Sequence, residues 1–210
     1  MRRHVPNLLT AGRFFMAIGF FIVLAFYDAY NPPAWPVLDL ALAIFLVAVA
    51  TDVVDGYLAR RMGHMTTFGR IADPFVDKIM VCGALAYFIG GQFIQPGVDG
   101  AMENVTGWRP WMVVVILARE FLVTGMRSLV ESQHMDFSAI GIGKAKLILQ
   151  FLAILWTLVY VGHYAGAGES APWARGGRDM LIWSATLLTL LSGIVYVKRA
   201  YVLLVAGQGD

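Results

Sequence analysis

Residues 52–77 read DVVDGYLAR-RMGHMTTF-GRIADPFVD and place four aspartates at or near the ends of two strongly apolar runs. These aspartates are Asp52, Asp55, Asp73 and Asp77. An ionised aspartate at the centre of a membrane-spanning helix costs about 2.5–3.5 kcal/mol on insertion scales. Four of them in one short segment therefore indicate a shared function.

Helical spacing groups the aspartates into two pairs. Asp52 and Asp55 lie three positions apart, and Asp73 and Asp77 lie four apart, so each pair shares one face of a helix. If residues 61–68 let the chain reverse, two antiparallel helices point four carboxylates into one pocket. Oxygen-only ligands favour Mg²⁺ or Mn²⁺, and four carboxylates suit two metals about 3.5–4 Å apart, an arrangement that transfers phosphoryl groups.

Small residues accompany the carboxylates and leave room for a bulky anionic substrate against the backbone. Each lies four positions from an aspartate: they are Gly56, Ala59 and Gly69. Arg60, eight positions after Asp52, adds a positive charge to the same face. The alternative is a structural role, in which these charges form ion pairs between helices.

The composition is that of an integral membrane protein. Of 210 residues, 59% are hydrophobic and only 14% are charged, against about 25% charged in soluble proteins. The one cysteine, Cys82, excludes an internal disulfide and a multi-cysteine metal site. We interpret Cys82 as a packing residue.

Apolar spans of about 20 residues, the length of a bilayer-crossing helix, predict an all-α membrane protein with six transmembrane helices. The predicted spans are 8–27, 37–59, 72–95, 110–131, 145–165 and 180–204. The connections leave no room for a soluble domain, so residues 1–210 are expected to form a single transmembrane domain. Pro74 then falls in the first turn of the third helix, where its missing N–H is tolerated.

The distribution of basic residues predicts the orientation by the positive-inside rule. They concentrate before the first span, around the second and fourth connections and near the end of the chain: Arg2, Arg3, Arg60, Arg61, Arg70, Arg127, Lys144, Lys146, Lys198 and Arg199. We therefore expect an inner-membrane protein with both termini cytoplasmic and the carboxylates near the cytoplasmic face. We expect the first span to stay uncleaved, because Arg13 interrupts its start and no clear signal-peptide cleavage site follows.

Aromatic residues cluster at the predicted span ends, where membrane proteins carry an interfacial belt. They are Tyr27, Tyr30, Trp35, Trp108, Trp111 and Trp173. We assign them no chemistry.

Polar residues near the start of the chain lie broadly on one side of the first predicted helix. Asn7, Thr10 and Arg13 are spaced by three positions and, if they face the pocket, hydrogen-bond a nucleotide or its phosphates. The alternatives are helix capping by Asn7 or Thr10 and contact of Arg13 with lipid headgroups.

A second charged group occurs in the fourth and fifth predicted helices. The segment A-R-E-F-L-V-T-G-M-R holds Arg119, Glu120 and Arg127, and an intramembrane arginine needs a partner or an anionic ligand. Arg119 and Arg127 are therefore candidates to hold a phosphate. Because Arg119 and Glu120 are adjacent, we expect them to point in different directions, with Glu120 orienting an arginine. In G-K-A-K-L-I-L-Q, Lys144 and Lys146 add cations at the same face, unless they serve only as topology charges.

The pattern D-x2-D-G-x2-A-R-x8-G-x3-D-x3-D resembles, without a gap, that of the CDP-alcohol phosphotransferases. Eight fixed positions make a chance match negligible. The resemblance implies the CDP-alcohol phosphotransferase fold, a homodimer and metal-dependent transfer from a CDP-linked donor. P-N-L-L-T-x-x-R, R-E-F-L-V-T-G-M-R and G-K-x-K-x3-Q resemble the bacterial branch that uses glycerol 3-phosphate, the phosphatidylglycerophosphate synthases. Leu147 departs from that branch, which often has threonine there.

The resemblance also implies substrates and roles for residues. The phosphatidyl group of CDP-diacylglycerol passes to sn-glycerol 3-phosphate, and CMP is released. Two divalent cations, Mg²⁺ or Mn²⁺, are held by Asp52, Asp55, Asp73 and Asp77, and Asp77 is also the general base. The CDP site comprises Asp52, Gly56, Ala59, Arg60, Gly69, Asn7, Thr10 and Arg13. The acceptor phosphate lies against Arg119, Arg127, Lys144 and Lys146. Membrane lipids are further partners, and no nucleic acid is expected.

Two other functions stay open. One keeps the chemistry and changes the acceptor to inositol phosphate, to serine, or to diacylglycerol with CDP-choline or CDP-ethanolamine as donor. The other is an ion or proton transporter, which predicts acidic residues spread through the membrane depth and inverted repeats. Here the acidic residues are confined to 26 positions and no repeat is visible.

Overall fold

The computed structural model describes the chain over residues 5–32, 36–62, 67–97, 100–132, 141–165 and 171–206. It describes side chains over residues 12–32, 36–51, 78–97, 100–130, 141–165 and 171–203.

Helices dominate the described chain, and each predicted span corresponds to one of them. The helices are α1 (Val5–Ala25), α2 (Val37–Met62), α3 (Thr67–Phe88), α4 (Pro110–Ser132), α5 (Gly141–His163) and α6 (Pro172–Ala206). A short 3₁₀ turn, Gly91–Phe93, and two strands, β1 (Ile94–Pro96) and β2 (Met102–Asn104), lie between α3 and α4. The predominantly helical class is confirmed.

The third helix differs most from its predicted span of 72–95. It begins at Thr67, so Pro74 lies beyond the first turn and the prediction that placed it there is wrong. It also ends at Phe88, because Gly90 and Gly91 interrupt the apolar run and glycine disfavours helix.

The connection between α3 and α4 contains an antiparallel hairpin of β1 and β2, which the predicted spans do not include. Ile94 pairs with Asn104, and Pro96 with Met102. Asn104 Nδ2 and Thr106 Oγ1 donate to the carbonyl oxygen of Phe88 at 2.8 and 2.9 Å. These bonds satisfy a carbonyl that the end of α3 leaves without an intrahelical partner.

Several contacts gather one end of each helix around the hairpin. His163, at the end of α5, lies 2.8 Å from Asp39 at the start of α2. Arg178, in the second turn of α6, donates from Nη1 to the carbonyl oxygen of Val105 at 2.7 Å, and Ala29, just after α1, donates its N–H to Gln92 at 2.8 Å. We call this the hairpin end; helices α2, α4 and α6 begin there, and α1, α3 and α5 end there.

The core combines large aromatic side chains from several helices. Phe20, Phe45 and Phe88 are fully buried, with the Phe20 and Phe45 ring centroids 5.7 Å apart. Trp108 is also buried, and its Nε1 donates to Thr157 Oγ1 at 3.1 Å. The prediction that Trp108 belongs to an interfacial belt is therefore wrong.

The outer surface carries many large apolar side chains. Those on α6 include Trp183, Leu187, Leu190, Leu191 and Ile194. Continuous apolar surface of this kind marks contact with a membrane or with another protein. Within the described residues, two helical segments, Gly141–His163 and Pro172–Leu203, are long and apolar enough to cross a membrane.

Candidate functional site

The predicted metal-binding aspartates lie on two helices that run in opposite directions. Asp52 and Asp55 belong to the second half of α2, and Asp73 and Asp77 to the first half of α3. Because α2 begins at the hairpin end and α3 ends there, both pairs lie in the half of the bundle away from the hairpin. Each pair lies within one continuous helix.

The side chains of most residues predicted to bind the metals or CDP lie outside the described part of the chain. They are Asn7, Thr10, Asp52, Asp55, Gly56, Ala59, Arg60, Gly69, Asp73 and Asp77. The four aspartates nonetheless offer a metal only carboxylate oxygens, which fits hard divalent cations. Among the side chains that are described, no group of three or more His, Cys, Asp or Glu residues could hold a metal ion.

Glu120 on α4 is the centre of a buried charged cluster. Its carboxylate oxygen Oε1 accepts a hydrogen bond from Lys146 Nζ on α5 and lies 3.3 Å from Arg119 Nη1. Glu120 and Lys146 are 7% and 3% exposed, so neither can exchange its partner for water. A buried carboxylate needs such partners because an unpaired charge in the interior costs several kcal/mol.

The prediction that Arg119 and Glu120 point in different directions is wrong for their charged groups. These adjacent residues were expected to point apart, yet their charged groups meet. The arginine side chain is long enough to turn its guanidinium towards its neighbour. The expectation that Glu120 orients an arginine agrees with this contact.

Lys78 on α3 joins the cluster, although none of the sequence motifs includes it. Its Nζ lies 3.5 Å from the carbonyl oxygen of Glu120, a weak hydrogen bond. Lys78 directly follows Asp77 in the chain, so it links the aspartate-bearing helix to the cations of α4 and α5. A lysine in so apolar a run was itself a signal, because intramembrane charges are rare and usually functional.

Arg119 also contacts α6. Its Nε donates to Ser192 Oγ at 3.1 Å, and its Cζ lies 5.3 Å from the centroid of the Tyr196 ring. Ser192 and Tyr196 are buried. Neither residue was identified from the sequence, because hydroxyl residues in an apolar helix give no distinctive pattern.

The remaining predicted cations differ in their surroundings. Arg127 lies two turns after Arg119 on α4, and its Nε is buried without a hydrogen-bond partner among the described residues. Lys144 is exposed near the start of α5, and Arg13 on α1 is half-buried. An orphaned buried N–H is costly, so Arg127 is suited to an anionic ligand.

The charges of the described cluster do not balance. Four cations, namely Lys78, Arg119, Arg127 and Lys146, accompany the single carboxylate of Glu120. Arg119, Arg127 and Glu120 all lie near enough to Lys78 to act on its charge. Within the described residues, the cluster is therefore suited to a bound anion; it lies near the middle of α3 and α4, and Lys78 directly follows Asp77 in the chain.

Comparison with known proteins identifies the family of the chain. The family model for CDP-alcohol phosphatidyltransferase matches residues 3–191. A Bacillus subtilis (strain 168) protein is 33% identical over 203 residues, covering 93% of this chain and 94% of its own length. An Escherichia coli (strain K12) protein is 31% identical over 209 residues, covering 95% and 96%. Both are named CDP-diacylglycerol–glycerol-3-phosphate 3-phosphatidyltransferase.

A Cereibacter sphaeroides relative of the same name is 28% identical over 233 residues, covering 95% of this chain and 96% of its own. The similarity extends over nearly the whole length of the chain. The family match includes both aspartate pairs and the charged cluster around Glu120. The chain belongs to the CDP-alcohol phosphatidyltransferase family.

Proposed function

We propose that this chain transfers the phosphatidyl group of CDP-diacylglycerol to sn-glycerol 3-phosphate, giving phosphatidylglycerophosphate and CMP. The observation that carries the proposal is the contact of Lys78 with Glu120, because it sets the cation cluster beside the helix of Asp73 and Asp77. Glycerol 3-phosphate has a phosphate for the cations and a hydroxyl for the aspartates. The names of the relatives support this pair of substrates.

In the proposed mechanism, Asp52, Asp55, Asp73 and Asp77 hold two divalent cations, Mg²⁺ or Mn²⁺. When bound, these cations supply neutralising charge for the pyrophosphate and for the leaving CMP. Asp77 accepts the proton of the acceptor hydroxyl. The hydroxyl oxygen forms a bond to the phosphorus that carries the diacylglycerol, the bond to CMP breaks, and no covalent enzyme intermediate forms.

The other predicted residues bind the two substrates. The CDP moiety lies against the small residues Gly56, Ala59 and Gly69, with Arg60 beside its phosphates and Asn7, Thr10 and Arg13 approaching from α1. Arg119, Arg127, Lys144 and Lys146 bind the phosphate of the acceptor. Lys146 does so from within its ion pair with Glu120, where the carboxylate holds the ammonium group in place.

The proposal includes a membrane topology. All six helices cross the inner membrane as a single domain over residues 1–210, with both termini cytoplasmic and the aspartates in the cytoplasmic half. At 1.5 Å per residue, the 35 residues of α6 extend about 52 Å, more than the roughly 30 Å hydrocarbon core. The exposed apolar side chains then face lipid, including the acyl chains of the donor, or the second copy in a homodimer.

Turnover by the purified protein tests the proposal. The protein in lipid nanodiscs is supplied with CDP-diacylglycerol, Mg²⁺ and one acceptor at a time: sn-glycerol 3-phosphate, inositol phosphate or serine. CMP release should require glycerol 3-phosphate, and the lipid product should carry a terminal phosphate. A separate reaction offers diacylglycerol with CDP-choline. Turnover with one of the other acceptors, and none with glycerol 3-phosphate, would show that the acceptor is a different alcohol while the transfer reaction is the one proposed.

A further inference from the structure

We infer that α6 belongs to the acceptor site, because Ser192, Gly193 and Tyr196 hold the side chain of Arg119 in place. These three residues, here called the arginine cradle, are positioning residues: they act on the substrate through Arg119. The inference rests on the proposed function, in which Arg119 binds the phosphate of glycerol 3-phosphate.

The hydroxyl of Ser192 is oriented towards the guanidinium. Ser192 is completely buried, and its Oγ donates to the carbonyl oxygen of Thr189 at 2.8 Å. That bond uses the hydroxyl proton, so the oxygen lone pairs are left to accept from Arg119 Nε at 3.1 Å. The direction of this bond fixes the plane of the guanidinium relative to α6.

Gly193 and Tyr196 restrict the rest of the side chain. A Cβ atom built on Gly193 lies 3.1 Å from Arg119 Cγ, so the aliphatic part of Arg119 packs tightly against the backbone of α6. The ring of Tyr196 lies 5.3 Å from Arg119 Cζ, within the range of a cation–π contact. Ser192 and Tyr196 are four residues apart and therefore share one face of α6.

The cradle leaves part of the guanidinium available to a ligand. Of the five N–H donors of an arginine, the contacts within the described chain use Nε, towards Ser192, and Nη1, towards Glu120. A long side chain held at three points loses little further conformational freedom when it binds. The cradle therefore raises affinity for the acceptor phosphate, and a shifted guanidinium lowers it.

Two substitutions on α6 test the cradle, with a matched control on the same helix. Ser192→Ala removes the acceptor of the hydrogen bond from Arg119 Nε. Gly193→Ala adds a Cβ atom that displaces Arg119 Cγ. Gly176→Ala is the control, because a Cβ there meets no atom of the described chain within 4 Å. The assay measures CMP release by each variant, with KM determined separately for glycerol 3-phosphate and for CDP-diacylglycerol.

We expect Ser192→Ala and Gly193→Ala each to raise KM for glycerol 3-phosphate about tenfold, which a modest displacement of a binding group can produce. KM for CDP-diacylglycerol should stay within about twofold, and Gly176→Ala should match the wild type. In an Arg119→Ala background, Ser192→Ala should add no further rise, because both changes act through one guanidinium.

Three results would overturn the inference. The first is an unchanged KM for glycerol 3-phosphate in both variants, and the second is an equal rise of both KM values together with lower thermal stability. The third is full additivity with Arg119→Ala. A wild-type protein that is inactive with glycerol 3-phosphate would instead reject the proposed acceptor. The same variants are then measured with the acceptor that supports turnover. An unchanged KM for that acceptor would also overturn the role of the cradle.

Discussion

Lys146 on α5 and Glu120 on α4 form an ion pair that is almost completely enclosed by the protein, with 4% and 9% of their side chains exposed. The same carboxylate also faces Arg119, and the backbone of Glu120 accepts a weak bond from Lys78 on α3. One glutamate thus connects three helices and keeps two cations at fixed positions. Its loss should affect both stability and function.

Glu120→Ala should lower the free energy of unfolding by about 3–5 kcal/mol, because Lys146 and Arg119 would stay buried without a negative partner. The matched control is Glu103→Ala, which breaks an exposed pair with Arg175 at 3.5 Å and should cost about 1 kcal/mol or less. Denaturant unfolding in detergent, followed by tryptophan fluorescence, measures both. An equal loss of unfolding free energy in the two variants would show that the buried pair stabilises the protein no more than the exposed pair does.

The helices were predictable from the sequence, whereas the connection between α3 and α4 was not. Apolar runs identify helices because each run must be buried or face lipid, and this is a local property. Gly90 and Gly91 are a local signal for the end of α3, but the Phe88 carbonyl at that end is satisfied by Asn104 and Thr106, from 16 and 18 residues away. Trp108 was assigned to the interface for the same reason, since its partner Thr157 is 49 residues distant.

The charged residues of the site were largely predictable, and their partners were not. Arg119, Glu120 and Lys146 stood out because charges in apolar helices are rare. That Glu120 pairs with Lys146, and Arg119 with Ser192, follows from the way α4 and α5 both pack against α6. The spacing of residues along one helix shows which of them share a face, but not which residues of another helix that face contacts.

Gly107→Ala should destabilise the hairpin end. Gly107 has a φ of +77°, where an L-residue is strained, and a Cβ there would lie 2.7 Å from Arg178 Nε. Arg178 is buried and bonds to Val105 and Asp179, so it cannot move easily. The left-handed conformation alone costs about 1–2 kcal/mol, and displacement of Arg178 adds to it.

Gly100→Ala is the matched control for this prediction. Gly100 has the same φ of +77°, and a Cβ there meets no atom of the described chain within 4 Å. Its variant should show the backbone cost only, so Gly107→Ala should unfold at a clearly lower temperature. If the two variants melt together, the contact with Arg178 contributes nothing.

Removal of divalent cations should stop turnover without unfolding the protein. Excess EDTA should reduce CMP release by about a hundredfold or more, because metal ions supply several kcal/mol of charge stabilisation in phosphoryl transfer. Addition of Mg²⁺ or Mn²⁺ should restore it, and tryptophan fluorescence should not change. Full activity in protein stripped of every divalent cation would contradict the two-metal assignment of the four aspartates.

Asp77→Asn should reduce kcat by about 10²–10⁴, the usual contribution of a general base, because an amide cannot accept the proton of the acceptor hydroxyl. Binding of Mn²⁺, measured by electron paramagnetic resonance, should persist through Asp52, Asp55 and Asp73. Asp28→Asn is the control, since Asp28 lies at the hairpin end and its Oδ1 accepts the Tyr30 N–H at 2.9 Å, which an asparagine oxygen also does. Near-normal turnover in Asp77→Asn would remove Asp77 from the role of base, whereas loss of Mn²⁺ would make it chiefly a metal ligand.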